Sequence, residues 1–119
     1  MSGTNAIVEI DIGIDITYNH QFVENEEVQN LNRGKEAVYA LSQKNLIEDG
    51  LVASVYLGDE HVGVVGDTDN NGYQIVDPSG KIESVRINRS TGKLFITWKE
   101  PINKGQSRVV VSYEYRTKD

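Results

Sequence analysis

The stretch from Gly80 to Arg116, GKIESVRINRSTGKLFITWKEPINKGQSRVVVSYEYR, decides the fold. Its middle segment, Lys93 to Lys99, alternates: Leu94, Ile96 and Trp98 share one parity, and Phe95 and Thr97 the other. The closing segment, Arg108 to Arg116, does the same, with Val109, Val111, Tyr113 and Tyr115 facing one way and Arg108, Val110, Ser112, Glu114 and Arg116 the other. A period of two with β-branched and aromatic residues on one side is the mark of a half-buried strand. A third strand, Lys81 to Arg89, precedes them, and Ser90-Thr91-Gly92 supplies the turn, with Gly92 placed for its left-handed residue. The short Pro101 to Gly105 loop predicts that the last two strands pair side by side, putting Trp98 and the Val/Tyr row in the core.

Upstream, the same grammar continues. Short apolar runs at Leu51 to Leu57, Val62 to Val65 and Tyr73 to Asp77 are punctuated by Gly58-Asp59, Asp67 to Gly72 and Asp77-Pro78-Ser79-Gly80. Glu36 to Leu46 fits either a helical or an extended spacing, and the β context downstream favours a strand. Ile7 to Tyr18 is a clear strand, with Val8, Ile10, Ile12, Ile14 and Ile16 on one parity and Glu9, Asp11, Gly13 and Asp15 on the other. His20 to Lys35, rich in Asn and carrying Glu24, Glu26 and Glu27, reads as a polar loop with room for a short strand near Phe22. Turns at this spacing predict an all-β fold: one antiparallel β-sandwich, immunoglobulin-like or jelly-roll-like, of about 7–8 strands. One domain spans 1–119, with 1–35 an N-terminal strand and acidic loop and 36–119 the core module.

Size and composition bound the function. The 119 residues suffice for one core without staples, and the absence of cysteine excludes a disulfide framework, a thiol nucleophile and a Cys-based zinc site. The net charge of −6 is uneven: residues 1–60 hold 11 acids and 3 bases, residues 61–119 hold 7 acids and 9 bases. An acidic chain with no basic cluster argues against nucleic acid as a partner, because phosphate neutralisation supplies most of that affinity. The apolar residues near the N-terminus alternate with acids, so they form neither a signal-peptide core nor a membrane span. The asymmetry suits either a solvated surface or contacts between copies, acidic half to basic half.

Candidate chemistry is sparse. Asp67-Thr68-Asp69-Asn70-Asn71-Gly72 matches the opening of an EF-hand loop, with Asp67, Asp69 and Asn71 as calcium ligands. The twelfth position is Pro78 instead of a bidentate Glu, and the flanks read as strands. What survives is a non-EF calcium turn with Asp77 as a further donor, against the simpler reading of an Asx-rich turn. His20 and His61 have no spaced ligand partners, and no serine sits in a nucleophile elbow. Asp11 and Asp15, about 13 Å apart along a strand, do not match either glycosidase geometry. Trp98 and the six tyrosines are the pool for a sugar-stacking platform, although core packing explains most of them. The expectation is a non-enzymatic protein without a resident cofactor, calcium aside.

The order I-N-x-x-T-G-x-L-x-I-x-W, P-x-x-x-G, V-x-V-S-Y-x-Y over Ile87 to Tyr115 resembles the terminal strands of small β-sandwich modules of tailed-bacteriophage virion proteins. Leu51 to Leu57, then Gly72 to Asp77 and Gly80-Lys81-Ile82, are similar to the middle strands of the same modules, so the resemblance covers Glu36 to Arg116. Gly72 stands where those modules commonly carry Asp, and Ile7 to Lys35 has no counterpart in them. The resemblance implies a structural protein of the virion, assembled in the host cytoplasm and bound to a protein lattice of major capsid or tail proteins, or homo-oligomeric. Chain length favours a head decoration protein over a tail, neck or baseplate component. The rival from another class is a carbohydrate-binding or adhesion module, calcium-dependent through Asp67, Asp69 and Asn71. The Val8, Ile10, Ile12, Ile14 and Ile16 row is the expected interaction element, since an extended segment of that length can add to a neighbour's sheet edge.

Overall fold

The computed structural model describes residues 18–47, 50–67 and 73–118. Eight strands run β1 (Tyr18–Gln29), β2 (Gly34–Ala40), β3 (Val52–Leu57), β4 (Glu60–Asp67), β5 (Tyr73–Val76), β6 (Ile82–Asn88), β7 (Lys93–Ile102) and β8 (Ser107–Lys118). They form two antiparallel sheets, a five-stranded one ordered β1-β8-β3-β4-β5 and a three-stranded one ordered β2-β7-β6. The expected all-β sandwich is what the chain adopts. In immunoglobulin-type sandwiches one sheet contains strands in the order B-E-D and the other G-F-C-C′-C″. Here β2-β7-β6 follows the first order and β8-β3-β4-β5 follows F-C-C′-C″, with β1 filling the place of G.

The inward rows meet across the gap between sheets. Ala37 and Tyr39 of β2, Leu94, Ile96 and Trp98 of β7, Ala53 and Val55 of β3, Val62 and Val65 of β4 and Val109, Val111 and Tyr113 of β8 are all buried. Burying a large apolar side chain contributes about 1.5–3 kcal/mol, so this one contiguous cluster dominates the stability. A buried polar chain stitches the sheets together: the Trp98 Nε1–H donates to the Tyr39 hydroxyl (3.4 Å), Tyr39 to the Ser107 hydroxyl (2.8 Å), and Ser107 to the Tyr56 carbonyl (2.7 Å). Burial raises the Tyr39 phenol above its ordinary pKa, against the lowering effect of these hydrogen bonds.

Two expectations are corrected. The last two strands do not pair side by side: β7 is the centre of the three-stranded sheet and β8 lies between β1 and β3 of the other, so their apolar rows face each other across the core. Alternation specifies which side of a strand is buried but not whether two such rows stand beside or opposite one another. The polar segment from His20 is also no loop; it is most of β1, paired with β8 from Tyr18↔Lys118 to Gln29↔Arg108. Its period is hidden by a bulge between Val23 and Glu26, where Asn25 takes a positive φ of 54° and its N–H turns to the Ser112 hydroxyl (3.0 Å). The strand expectations from Glu36 onward match β2 through β8, with β2 ending at Ala40, short of the expected Leu46; the expected Ile7 to Tyr18 strand lies, Tyr18 apart, outside the described residues.

Three of the four sheet edges are defended. β1 carries the bulge and Glu24, Glu26 and Glu27, and β5 is four residues long. The edge of β2 is capped by the segment before it: Leu31 N–H donates to the Val38 carbonyl (2.9 Å), the Val38 N–H to Asn32 Oδ1 (2.9 Å), and Asn32 Nδ2 to the Glu36 carbonyl (2.8 Å). Such devices block edge-to-edge pairing with another chain.

Candidate interaction surface

The residues singled out for metal binding are not brought into a described site. Asp67 ends β4 opposite Tyr73 of β5, so strands flank the Asp-rich segment as expected, and not the helices of an EF-hand. Asp69 and Asn71 lie outside the described residues, as do Val8, Ile10, Ile12, Ile14 and Ile16. Asp77, the further donor considered for calcium, is committed elsewhere. Its Oδ1 accepts from Ser79 N–H, the Ser79 hydroxyl and Gly80 N–H, and its Oδ2 from Ile82 N–H at 2.7 Å. This is an Asx turn that launches β6. Desolvation opposes ionisation of Asp77, but the hydrogen bonds from Ser79, Ile82 and Gly80 outweigh it and hold the carboxyl below its ordinary pKa.

That shift carries a prediction. Asp77→Ala is expected to cost about 1–2 kcal/mol at neutral pH, because the turn loses its acceptor. A depressed folded-state pKa stabilises above the unfolded value near 4, and the gain is lost as pH falls through the folded value. The gap between wild type and variant in urea unfolding therefore narrows below about pH 4. A gap that stays constant with pH would show that the carboxylate charge plays no part in the turn.

Other polar clusters also hold strands together. Ser42 donates to Glu26 from both its N–H (2.8 Å to Oε2) and its hydroxyl (2.7 Å to Oε1), and the Tyr113 hydroxyl donates to the same Oε1 (2.7 Å). Burial, joined by the Glu26 carboxylate, pushes the Tyr113 phenol up to about 12. The cluster locks β1 to the segment after β2 and to β8. His20 lies 3.7 Å from Glu114, and His61 stands edge-on to Tyr56 at 5.1 Å. Among the described residues no three His, Asp or Glu side chains gather where they could hold a metal ion.

The two outer sheet faces differ sharply in character. On the three-stranded sheet the Arg86 guanidinium covers the Phe95 ring at 3.9 Å and reaches Glu36 at 3.4 Å, so the central apolar residue is shielded by charge. The five-stranded sheet leaves its centre bare. One row runs Val110, Ser54, Val64, Val76 across β8-β3-β4-β5, and the next runs Ser112, Val52, Gly66 across β8-β3-β4. No charged side chain stands in either row on these strands, and Val52 and Val76 are each 54% exposed. Charge appears only at the borders. Arg108 stacks on Tyr56 at 4.0 Å and reaches Glu27 at 3.6 Å, and Glu114 lies beyond Ser112 along β8. An outward sheet face is normally solvated and polar, so an open Val/Ser/Gly patch rimmed by charge is the pattern of a contact surface.

Sequence reading missed this face. The signal was present in Val52, Val64 and Val110, each between buried neighbours, but outward valines stand out only once the strands are in register. No protein-family model matches the chain, and no curated protein or solved structure matches it.

Proposed function

We propose that this chain is a non-enzymatic structural protein of a tailed-phage virion, a β-sandwich that binds an assembled lattice of capsid or tail protein. Head decoration is the favoured role, ahead of a tail, neck or baseplate position. The charge-free centre of the five-stranded sheet's outer face carries this reading. A domain whose polar clusters are spent on its own turns and strands, and which leaves a bare apolar face open, is built to work by contact. The resemblance of Glu36 to Arg116 to virion modules supplies the biological setting. The Val8, Ile10, Ile12, Ile14 and Ile16 row supplies lattice attachment by adding a strand to a neighbour's sheet.

Co-sedimentation with purified tailed-phage capsids and tails tests this. Saturable pelleting is expected, lost on deleting residues 1–17 while circular dichroism keeps its β signature. Full recovery in the supernatant, with the fold intact, would overturn the reading. The Arg108, Tyr56 and His61 row favours a second reading, a carbohydrate-binding module, because stacked planar groups on a sheet face suit sugar rings. Glycan-array binding that is lost in Tyr56→Ala and rises with calcium would move the assignment there, with Asp67, Asp69 and Asn71 the calcium ligands.

A further inference from the structure

We propose that the outer face of the five-stranded sheet is occupied by the same face of a second copy of this chain, about a two-fold axis crossing β8 at Val111 and β3 at Ala53. This rests on the reading of the chain as an assembly protein and names the occupant of its bare face. Two features of the register make the face complementary to itself.

The first is shape. Val111 pairs with Ala53, and Ala53 with Val65, so these inward residues mark a line between the two outward rows. A two-fold rotation about that line lays one row on the other and superposes each strand on its own copy, reversed in direction. Val110 then falls on Ser112 of the second copy, Val52 on Ser54, and Val64 on Gly66, with the reciprocal contacts made by symmetry. On β8, β3 and β4 each β-branched side chain of these rows meets a small residue, which is how two flat faces interdigitate, while at the β5 edge Val76 falls on Gln74. A closed two-fold interface requires this kind of self-complementary patch.

The second feature is charge. Outward positions along β8 read Arg108, Val110, Ser112, Glu114, with a cation and an anion equidistant from Val111. The rotation brings Arg108 to Glu114 of the second copy, twice. Aligned sheets pack about 10 Å apart with strands about 30° off parallel. Three residues from the axis, about 10 Å along the strand, that angle displaces a side chain by about 5 Å. A guanidinium spans that distance. The ion pairs of Arg108 and Glu114 are with part-exposed neighbours, Glu27 at 3.6 Å and His20 at 3.7 Å, and Arg108 also stacks on Tyr56 at 4.0 Å, so a second copy competes with one stacking contact and two part-exposed ion pairs. The rim charges thereby fix the antiparallel register, and the mismatched parallel one sets like charges together.

Light scattering and sedimentation of the full chain, from about 1 μM to about 1 mM, read the dimer directly. The wild type is expected to dimerise, and Val52→Glu, at an exposed position the fold does not need, to raise the dissociation constant at least about 100-fold. Arg108→Glu and Glu114→Arg are each expected to weaken the dimer, and the double swap to restore it, which a role confined to one chain would not produce. A chain monomeric throughout that range overturns the proposal, and so does an oligomer indifferent to Val52→Glu but abolished by deleting residues 1–17. A dimer that fails to pellet with virions leaves this inference standing and removes the lattice reading; a monomer that pellets does the reverse.

Discussion

Gly92→Ala is expected to lower the unfolding free energy by about 2–5 kcal/mol, a large share of the total for a domain of this size. Two costs combine. Gly92 closes the turn between β6 and β7 with a φ of 72°, a conformation that costs a residue with a Cβ about 1–2 kcal/mol. A Cβ there would also stand 2.0 Å from the Gln43 carbonyl oxygen and 3.1 Å from its carbon, which is backbone and cannot swing aside. The segment after β2 is docked on this turn through Leu41 N–H to the Gly92 carbonyl and Leu46 N–H to the Arg89 carbonyl, each at 2.9 Å. Displacing it also disturbs Ser42 and, through it, Glu26 and β1. Gly80→Ala separates the two costs. Gly80 has a φ of 71° but nothing within 4 Å of an added Cβ, so it is expected to lose only about 1–2 kcal/mol in the same urea titration. Equal losses at the two glycines would show that the close approach to Gln43 costs nothing.

What was legible in the sequence, and what was not, follows from which interactions have a period. The buried rows of β3, β7 and β8 announce themselves because Ala53 and Val55, Leu94 to Trp98 and Val109 to Tyr113 alternate buried apolar residues with outward ones. β1 was illegible for two physical reasons. Its bulge moves the inward parity, so Val23, Glu26 and Val28 oppose Tyr113, Val111 and Val109. One of those inward positions is a glutamate, stabilised by Ser42 and Tyr113, residues far away in sequence. Sheet membership was likewise beyond reach, since the turn from β7 to β8 crosses between layers at a corner that no local motif specifies. Of the candidate site residues, Asp77 was recognised as an oxygen donor, but its recipients are its own turn amides. The bare face was present in the sequence only as isolated valines, because it is a property of four strands in register and each valine alone is unremarkable.

The corner between β7 and β8 is itself held by a residue with no sequence signature, and Asn30 is expected to be the second most sensitive position. Its side chain is 2% exposed and fully engaged: Nδ2 donates to the Asn32 carbonyl (2.7 Å) and the Asn103 carbonyl (2.9 Å), while Oδ1 accepts from Ser107 N–H (3.0 Å). Its backbone adds an N–H bond to the Ser107 carbonyl and accepts from Gly105 N–H, both at 3.1 Å. One amide therefore fixes the exit of β1, the approach to β2 and the crossing loop. Asn30→Ala strands a buried Ser107 N–H and two carbonyls, a loss of about 2–4 kcal/mol. Asn30→Asp is the sharper test, because it keeps the size and the Oδ1 acceptor but aims a second oxygen at two carbonyls. Only the protonated acid can donate there, so the folded-state pKa of the new carboxyl rises above the unfolded value near 4. A raised pKa contributes stability that is fully present below the unfolded value and lost as pH rises through the folded one. Asn30→Asp is thus expected to be at least as damaging as Asn30→Ala at pH 7 and to recover toward wild type near pH 4, the opposite of the trend set by Asp77. Urea unfolding at both pH values reads the crossover. A variant equally stable at the two would mean that the amide's donors are dispensable and that the corner is held by backbone contacts alone.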